Sequence, residues 1–166
     1  MIGLCKAVEA QVVARVLVPL ASKAGGSDLS ADKNDKDIGR VAAFCADPTR
    51  KSPELGTFLH FLQTAIHSRE RRETSALLGD FLRLTGEWTG SNWLLDSTAF
   101  HRSLTVLTAD FGNRAAHIDE LGRQDYLGCR QLVIGTEGVV WRLLLATERH
   151  KRSSARCLTT GCSCRR

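Results

Sequence analysis

Apolar residues recur along most of this chain at intervals of three and four, the period of a helix with one face turned inward. In residues 3–23, Leu4, Val8, Val12, Val16 and Leu20 fall on one side, with Val13 and Leu17 beside them and Arg15 intruding. Pro19 is expected to bend that helix or end it early, because proline lacks an N–H and crowds the carbonyl four residues back. Gly25 and Gly26 close it. Residues 25–37 are Gly, Ser, Asp and Lys with one stretch-breaking apolar residue, Leu29, and are expected to be a flexible linker. Counted as a calcium loop from Asp32, they place Asp37 where glycine is needed and Ala43 where a bidentate Glu is needed, which excludes that ion.

Residues 38–46 predict a short helix stopped by Asp47-Pro48. Ser52-Pro53-Glu54 then places a hydroxyl at the N-cap, proline at the first helical position and an acid in the first turn. The helix it opens carries Leu55, Phe58, Leu59, Leu62 and Ile66 on a stripe and runs to about His67. Residues 69–73 predict a charged, exposed turn, and residues 74–85 a second helix with Leu77, Leu78, Phe81 and Leu82 inward. The two are expected to form an antiparallel pair. A loop with Trp88 follows, then a helix over 96–111 marked by Phe100, Leu104, Leu107 and Phe111, and a short one over 114–121.

The segment 131–146 is ambiguous. Leu132-Val133-Ile134 and Val139-Val140-Trp141 flank Gly135-Thr136-Glu137-Gly138, as strands of a hairpin would. Val140, Leu143, Leu144 and Thr147 equally share a helical face. Helix is the reading preferred, because every clearer segment is helical. Its run from Val139 to Ala146 is apolar all round except Arg142, which predicts a position central in the core. The fold class expected is therefore all-α. It is an irregular helical bundle, or a short HEAT-like array of helix pairs, of about five to seven helices.

Composition changes this picture only when it is located. Hydrophobic residues at 43% and charged residues at 25% place the chain among ordinary globular proteins. The net charge of +5 suggests an anionic partner until it is mapped. From Arg149 onward there are six basic residues and no acid. The preceding 148 residues hold 17 basic and all 18 acidic ones, a charge of −1. The domain is thus near-neutral over 1–148. The stretch 149–166 is a basic, cysteine-bearing tail, expected to be disordered. Cys5, Cys45 and Cys129 are scattered through apolar segments and read as small buried hydrophobes. The run Ala10–Leu20 is too short and interrupted to span a membrane. The localisation expected is cytoplasmic or nuclear, with a mitochondrial presequence, using Lys6, Arg15 and Lys23, as the other option.

No phosphate-binding loop, dinucleotide fingerprint, nucleophile elbow or zincin helix is present. His117 with Glu120 shares a helical face, Asp119 and Asp110 lie nearby, and an enzyme of unknown class would be built there. His60 and His67 are seven apart on one helix. Trp88 and Trp93 flank a Gly-rich loop near Arg83 and Arg102, where exposed aromatics could stack on a partner. In the tail, His150, Cys157, Cys162 and Cys164 supply the one His and three Cys that zinc accepts, at spacings tighter and looser than structural zinc sites favour. No other cofactor is expected. The tail's Arg149, Lys151, Arg152 and Arg156, helped by Arg69, Arg71 and Arg72, could instead bind nucleic acid or an anionic membrane surface. The leading expectation is a protein-binding or scaffold module, because amphipathic helices are plentiful and catalytic signatures absent.

Overall fold

The computed structural model describes residues 2–113 and 122–149, and all its regular elements there are helical. The first is a single long rod. Helix α1 (Ile2–Val12) passes through a π turn (Val13–Leu17) into α2 (Val18–Ala24). Pro19 does not end it. The turn just before the proline is widened, with Val18 N–H donating to Val13 O five residues back. A π turn of this kind is where a helix absorbs a missing donor and a bulky ring. Val8, Val12, Val16, Leu17 and Leu20 are fully buried or nearly so, and the rod is the axis of the core.

The segment after Gly25 is held at several points. Ser27 Oγ donates to Asp80 Oδ2 at 2.7 Å. A 3-10 turn (Ala31–Asn34) buries Asp32. Asp35 then caps α3 (Lys36–Ala46), its Oδ1 accepting from Asp37 N–H at 3.0 Å and Ile38 N–H at 3.1 Å. Asp47, extended before Pro48, stops α3 as the sequence requires.

Helix α4 (Leu55–His67) begins later than the Ser52-Pro53 signal, with Glu54 at the N-cap making no side-chain cap bond. Glu54 is drawn to Lys51 Nζ at 2.8 Å. The orphan N–H of Leu55 is satisfied instead by Glu9 Oε1 of α1 at 3.2 Å, so the cap comes from across the fold. Residues expected to be a bare turn form α5 (Arg69–Thr74), capped by Ser68. Ser75 caps α6 (Ala76–Thr85), accepting from Leu78 N–H at 3.0 Å. The inserted α5 breaks the simple antiparallel pair: α4 lies mainly against α3 and α8, and α6 against α2.

Helix α7 (Ser91–Leu95) precedes α8 (Phe100–Val106), which runs into a π turn (Leu107–Asn113). The segment 131–146 is helical in both halves: α9 (Arg123–Ile134) and α10 (Val139–Ala146). Helix α1 packs against α9, α10 and the second π turn, so the two ends of the described chain meet. A solenoid keeps contacts between neighbouring repeats. This closure makes the fold an irregular all-α bundle.

The centre is a row of aromatic rings. Phe81 of α6 meets Phe61 of α4 edge-on at 5.1 Å, Phe58 lies 6.2 Å from Phe61, and Phe100 of α8 meets Phe58 edge-on at 6.4 Å. Trp93 of α7 continues it, 4.8 Å from Phe100. The loop between α6 and α7 is fastened to the end of α10. Thr89 N–H donates to Glu148 O at 2.9 Å, Gly90 N–H to Ala146 O at 3.1 Å, and Trp88 bridges to Arg149. Gly90 is required there, because a Cβ would overlap Ala146 Cα. No described helix is long and apolar enough to cross a membrane. Gly90→Ala is expected to destabilise the fold by about 1–3 kcal/mol, the range for overpacking, through displacement of α10. Urea unfolding of the two proteins checks it.

Candidate functional site

The described surface exposes seven large apolar side chains, and five of them sit on the last two helices. On α9, Cys129 and Val133 turn inward. That rotation sends Tyr126, Leu127 and Ile134 to solvent, with Arg123 and Arg130 among them. Residues 126, 130 and 134 follow one another at helical spacing, so an arginine stands between two apolar groups on one line. On α10, Val139, Leu143 and Ala146 are buried, which leaves Trp141 56% and Leu145 62% exposed, one turn apart. The apolar run 139–146 therefore does not mark a helix surrounded by core. One side seals α1 and α7, and the other faces water.

The charge of this surface is one-sided. Helices α9 and α10 carry three arginines and one carboxylate, Asp125. Asp125 is turned back to its own N-terminus, where Oδ2 accepts from Gly122 N–H at 2.9 Å. Arg142 lies 5.5 Å over the Trp93 ring and 3.3 Å from Glu137. No ion pair joins Arg123 or Arg130 to a described acid. Beside α10 is a depression of about 250 Å³ lined by Thr89, Gly90, Trp93, Arg142, Leu145 and Ala146. Trp93, singled out in the sequence, stands in its wall, half-buried.

The other sequence candidates fall elsewhere. Trp88 is only 2% exposed and presents no ring to a partner, because the loop–α10 bridge closes over it. Arg69 pairs with Glu73 at 2.9 Å. Arg71 lies 3.9 Å from Asp35. Arg72 donates to the carbonyls of Ala65 and Ile66 at 3.2 and 2.9 Å, closing the C-terminus of α4. The three α5 arginines are thus engaged by the fold. Arg149 is exposed and bridged to Trp88. His150, Lys151, Arg152, Arg156, Cys157, Cys162 and Cys164 lie outside the described residues, as do His117, Asp119 and Glu120. Asp110 is exposed in the second π turn.

His60 has a carboxylate partner, Asp35 Oδ2, at 3.1 Å. Burial opposes ionisation of Asp35, but the N–H of Ile38, His60 and the N–H of Asp37 outweigh it and hold its carboxyl below the ordinary range. The pair is a helix cap before it is anything else. His67 meets His101 ring to ring at 6.5 Å. A basin of about 400 Å³ holds Arg40, Arg50 and Lys51, but each has an acid of its own: Asp37, Asp47 and Glu54. No group of three His, Cys, Asp or Glu among the described residues is placed to hold a metal. No family model, no curated protein and no solved structure matches the chain.

The residues that sequence reasoning passed over are Tyr126, Leu127, Arg130, Ile134, Trp141 and Leu145. For Trp141 and Leu145 the signal is an excess of apolar residues on α10 beyond one stripe; the four residues on α9 carry no comparable signal. Asp35→Ala is expected to cost about 1–2 kcal/mol at neutral pH, the loss of a strong cap. A carboxyl held low in the folded state stabilises above its unfolded pKa, and that contribution is lost as pH falls through the folded one. The gap between wild type and variant should therefore close below about pH 4, as read by urea unfolding at each pH.

Proposed function

We propose that the protein is a helical interaction module whose α9–α10 hairpin docks an acidic amphipathic helix of a protein partner. One observation carries this reading. Trp141, Leu145, Tyr126, Leu127 and Ile134 are exposed, as are Arg123 and Arg130, and no ion pair joins those two arginines to an acid among the described residues. Trp, Tyr and Arg are the residues in which binding energy concentrates at protein interfaces. Leu and Ile fill the space between them. A partner helix would lay apolar residues at i, i+4 and i+7 on this side and place carboxylates against Arg123 and Arg130. The charge adds orientation and encounter rate more than affinity.

Leaving such residues in water costs roughly 25 cal/mol per Å² of apolar area, which burial under a partner recovers. Elsewhere the molecule hides most of its aromatics: five of its six Phe side chains, and Trp88, are fully buried or nearly so.

The test is titration with two panels of helical peptides that share leucines at i, i+4 and i+7, one with glutamates and one with lysines on the flanks. The glutamate peptides should bind and the lysine peptides should not. Trp141→Ala should weaken binding by at least about tenfold, the hot-spot scale. Arg130→Glu should do the same and flatten the salt dependence. Both side chains are exposed, so melting temperatures should stay within a degree or two. Binding indifferent to both substitutions, self-association through this face, or attachment to phosphatidylserine vesicles in place of the peptides overturns the proposal.

A further inference from the structure

Helix α5 buries none of its residues. The ties that fix it are polar. Ser68 Oγ accepts from Arg71 N–H at 3.3 Å, Arg72 donates to the carbonyls of Ala65 and Ile66, and Arg71 lies 3.9 Å from Asp35. Unwinding α5 takes no side chain out of the core, which places it among the segments that open locally at low cost. At its end stands Thr74, exposed, with Arg71 and Arg72 three and two positions before it. Thr74 Oγ1 donates to Glu70 O at 3.1 Å and Arg71 O at 3.4 Å, both in its own helix.

The neighbouring hydroxyl makes the contrast. Ser75 has Arg72 three positions before it, so the spacing of arginines alone offers both residues. Ser75 is 6% exposed, and its Oγ accepts from Leu78 N–H as the cap of α6. Helix α6 holds Leu77, Leu78, Phe81 and Leu84 in the core. Freeing Ser75 uncaps a core helix, whereas freeing Thr74 unwinds one that buries nothing. Thr105 follows Arg102 by three positions, but it sits inside α8, whose Phe100 and Leu104 are buried.

We propose that Thr74 is a phosphoacceptor for a serine/threonine protein kinase that reads arginines two and three residues before its target, and that the phosphate releases α5 from α4. Once α5 unwinds, both guanidiniums leave their acceptors and meet the acidic pockets by which such a kinase selects this charge pattern. Thr74 Oγ1 attacks the γ-phosphorus of ATP. An O–P bond forms, the bond from that phosphorus to the β,γ-bridging oxygen breaks, and ADP leaves with the electron pair. The hydroxyl proton passes to the catalytic aspartate of the kinase.

The product changes what holds α5. Residues 69–74 carry three arginines and two glutamates, a charge of +1, and a phosphate of about −2 at neutral pH reverses it. The new charge stands at the C-terminal end of α5, where the helix dipole disfavours it, and one turn from Glu70. The bonds that Thr74 Oγ1–H donated are lost. Arg71 and Arg72 gain an acceptor stronger than the Ala65 and Ile66 carbonyls. Helix α6 is spared, because the same charge lies beside its N-terminus, where the dipole favours it. The proposal does not depend on what the α9–α10 surface binds.

The full chain, folded, is incubated with magnesium-ATP and a purified kinase of that arginine specificity, and phosphate is mapped by mass spectrometry. Phosphate on Thr74 is expected, forming at least about tenfold faster than on Ser75, as local opening of α5 outpaces uncapping of a core helix. A peptide spanning residues 66–80 is the unfolded reference. Thr74→Ser should keep the reaction, and Thr74→Ala should remove it from residues 69–75. Hydrogen exchange in the phosphorylated chain should quicken over 69–74 and stay unchanged over 76–85. Thr74 left unmodified in the folded chain overturns the proposal, whether phosphate goes to Ser75, Thr105 or Ser153, to the peptide alone or nowhere. So does exchange over α5 that the phosphate leaves unchanged. The wild-type map decides the acceptor even if a variant fails to fold.

Discussion

The row of rings from Phe81 through Phe61, Phe58 and Phe100 to Trp93 is the contact on which the rest of this fold depends. It crosses four helices, α6, α4, α8 and α7, and joins α6 to the packed set of α4, α8 and α7. Each tilted or edge-on pair adds about 0.5–1.5 kcal/mol to the burial of the rings themselves. The geometry matters as much as the energy. Aromatic rings pack at a narrow range of angles, so the row fixes how α8 and α7 approach α4. The row ends at Trp93, and Arg142 of α10 lies over that ring. Through this stacking the position of the last helix is set by the same core that holds the first ones.

Helix ends impose the second constraint, because the first N–H and last C=O groups of a helix need partners that the helix does not supply. This fold meets the demand from a distance. Glu9 of α1 caps α4 at Leu55, Arg72 of α5 closes α4 at Ala65 and Ile66, and the loop at Thr89 and Gly90 receives the carbonyls at the end of α10. Charges spent in this way are not offered to a ligand. Asp35, Arg71 and Arg72 are occupied by structure, and the basic basin beside α3 is neutralised residue by residue. What stays uncommitted among the described arginines of the C-terminal pair is Arg123 and Arg130, next to unburied Tyr126, Leu127 and Ile134. The candidate site is where the fold has used least of what the side chains can do.

The same α9 carries that exposed line on one side and Cys129 on the other. Burial of Cys129 and Val133 turns that side inward, and the same rotation sends Tyr126 and Ile134 outward. The buried side and the exposed side thus share one rigid element. Helix rotation couples them geometrically, since a side chain cannot change its face without the helix turning by the same angle.

Residue by residue, the sequence alone determined the helical class, most of the inward stripe of α6, Leu55, Phe58 and Leu62 of the stripe on α4 (but not Phe61), and the stop at Asp47-Pro48, and it left 131–146 open between helix and hairpin. These follow from spacing at three and four and from proline and glycine chemistry, which are local. It also separated a near-neutral body from a basic tail, since charge counting needs no coordinates. Where local signals mislead, a distant partner had taken over. Ser52-Pro53 marks a start that Glu9 moves to Leu55, Pro19 marks a stop that a π turn absorbs, and Trp88 in a polar loop is covered by the strand-like bridge to Arg149. The exposed apolar side of α10 was illegible for the same reason. Val139, Trp141, Leu143 and Leu145 are alike in apolarity, and periodicity can say that two faces exist but not that only one of them has a neighbour. Tertiary packing made that choice: α1 and α7 cover one side of α10, and no described element covers Trp141 and Leu145.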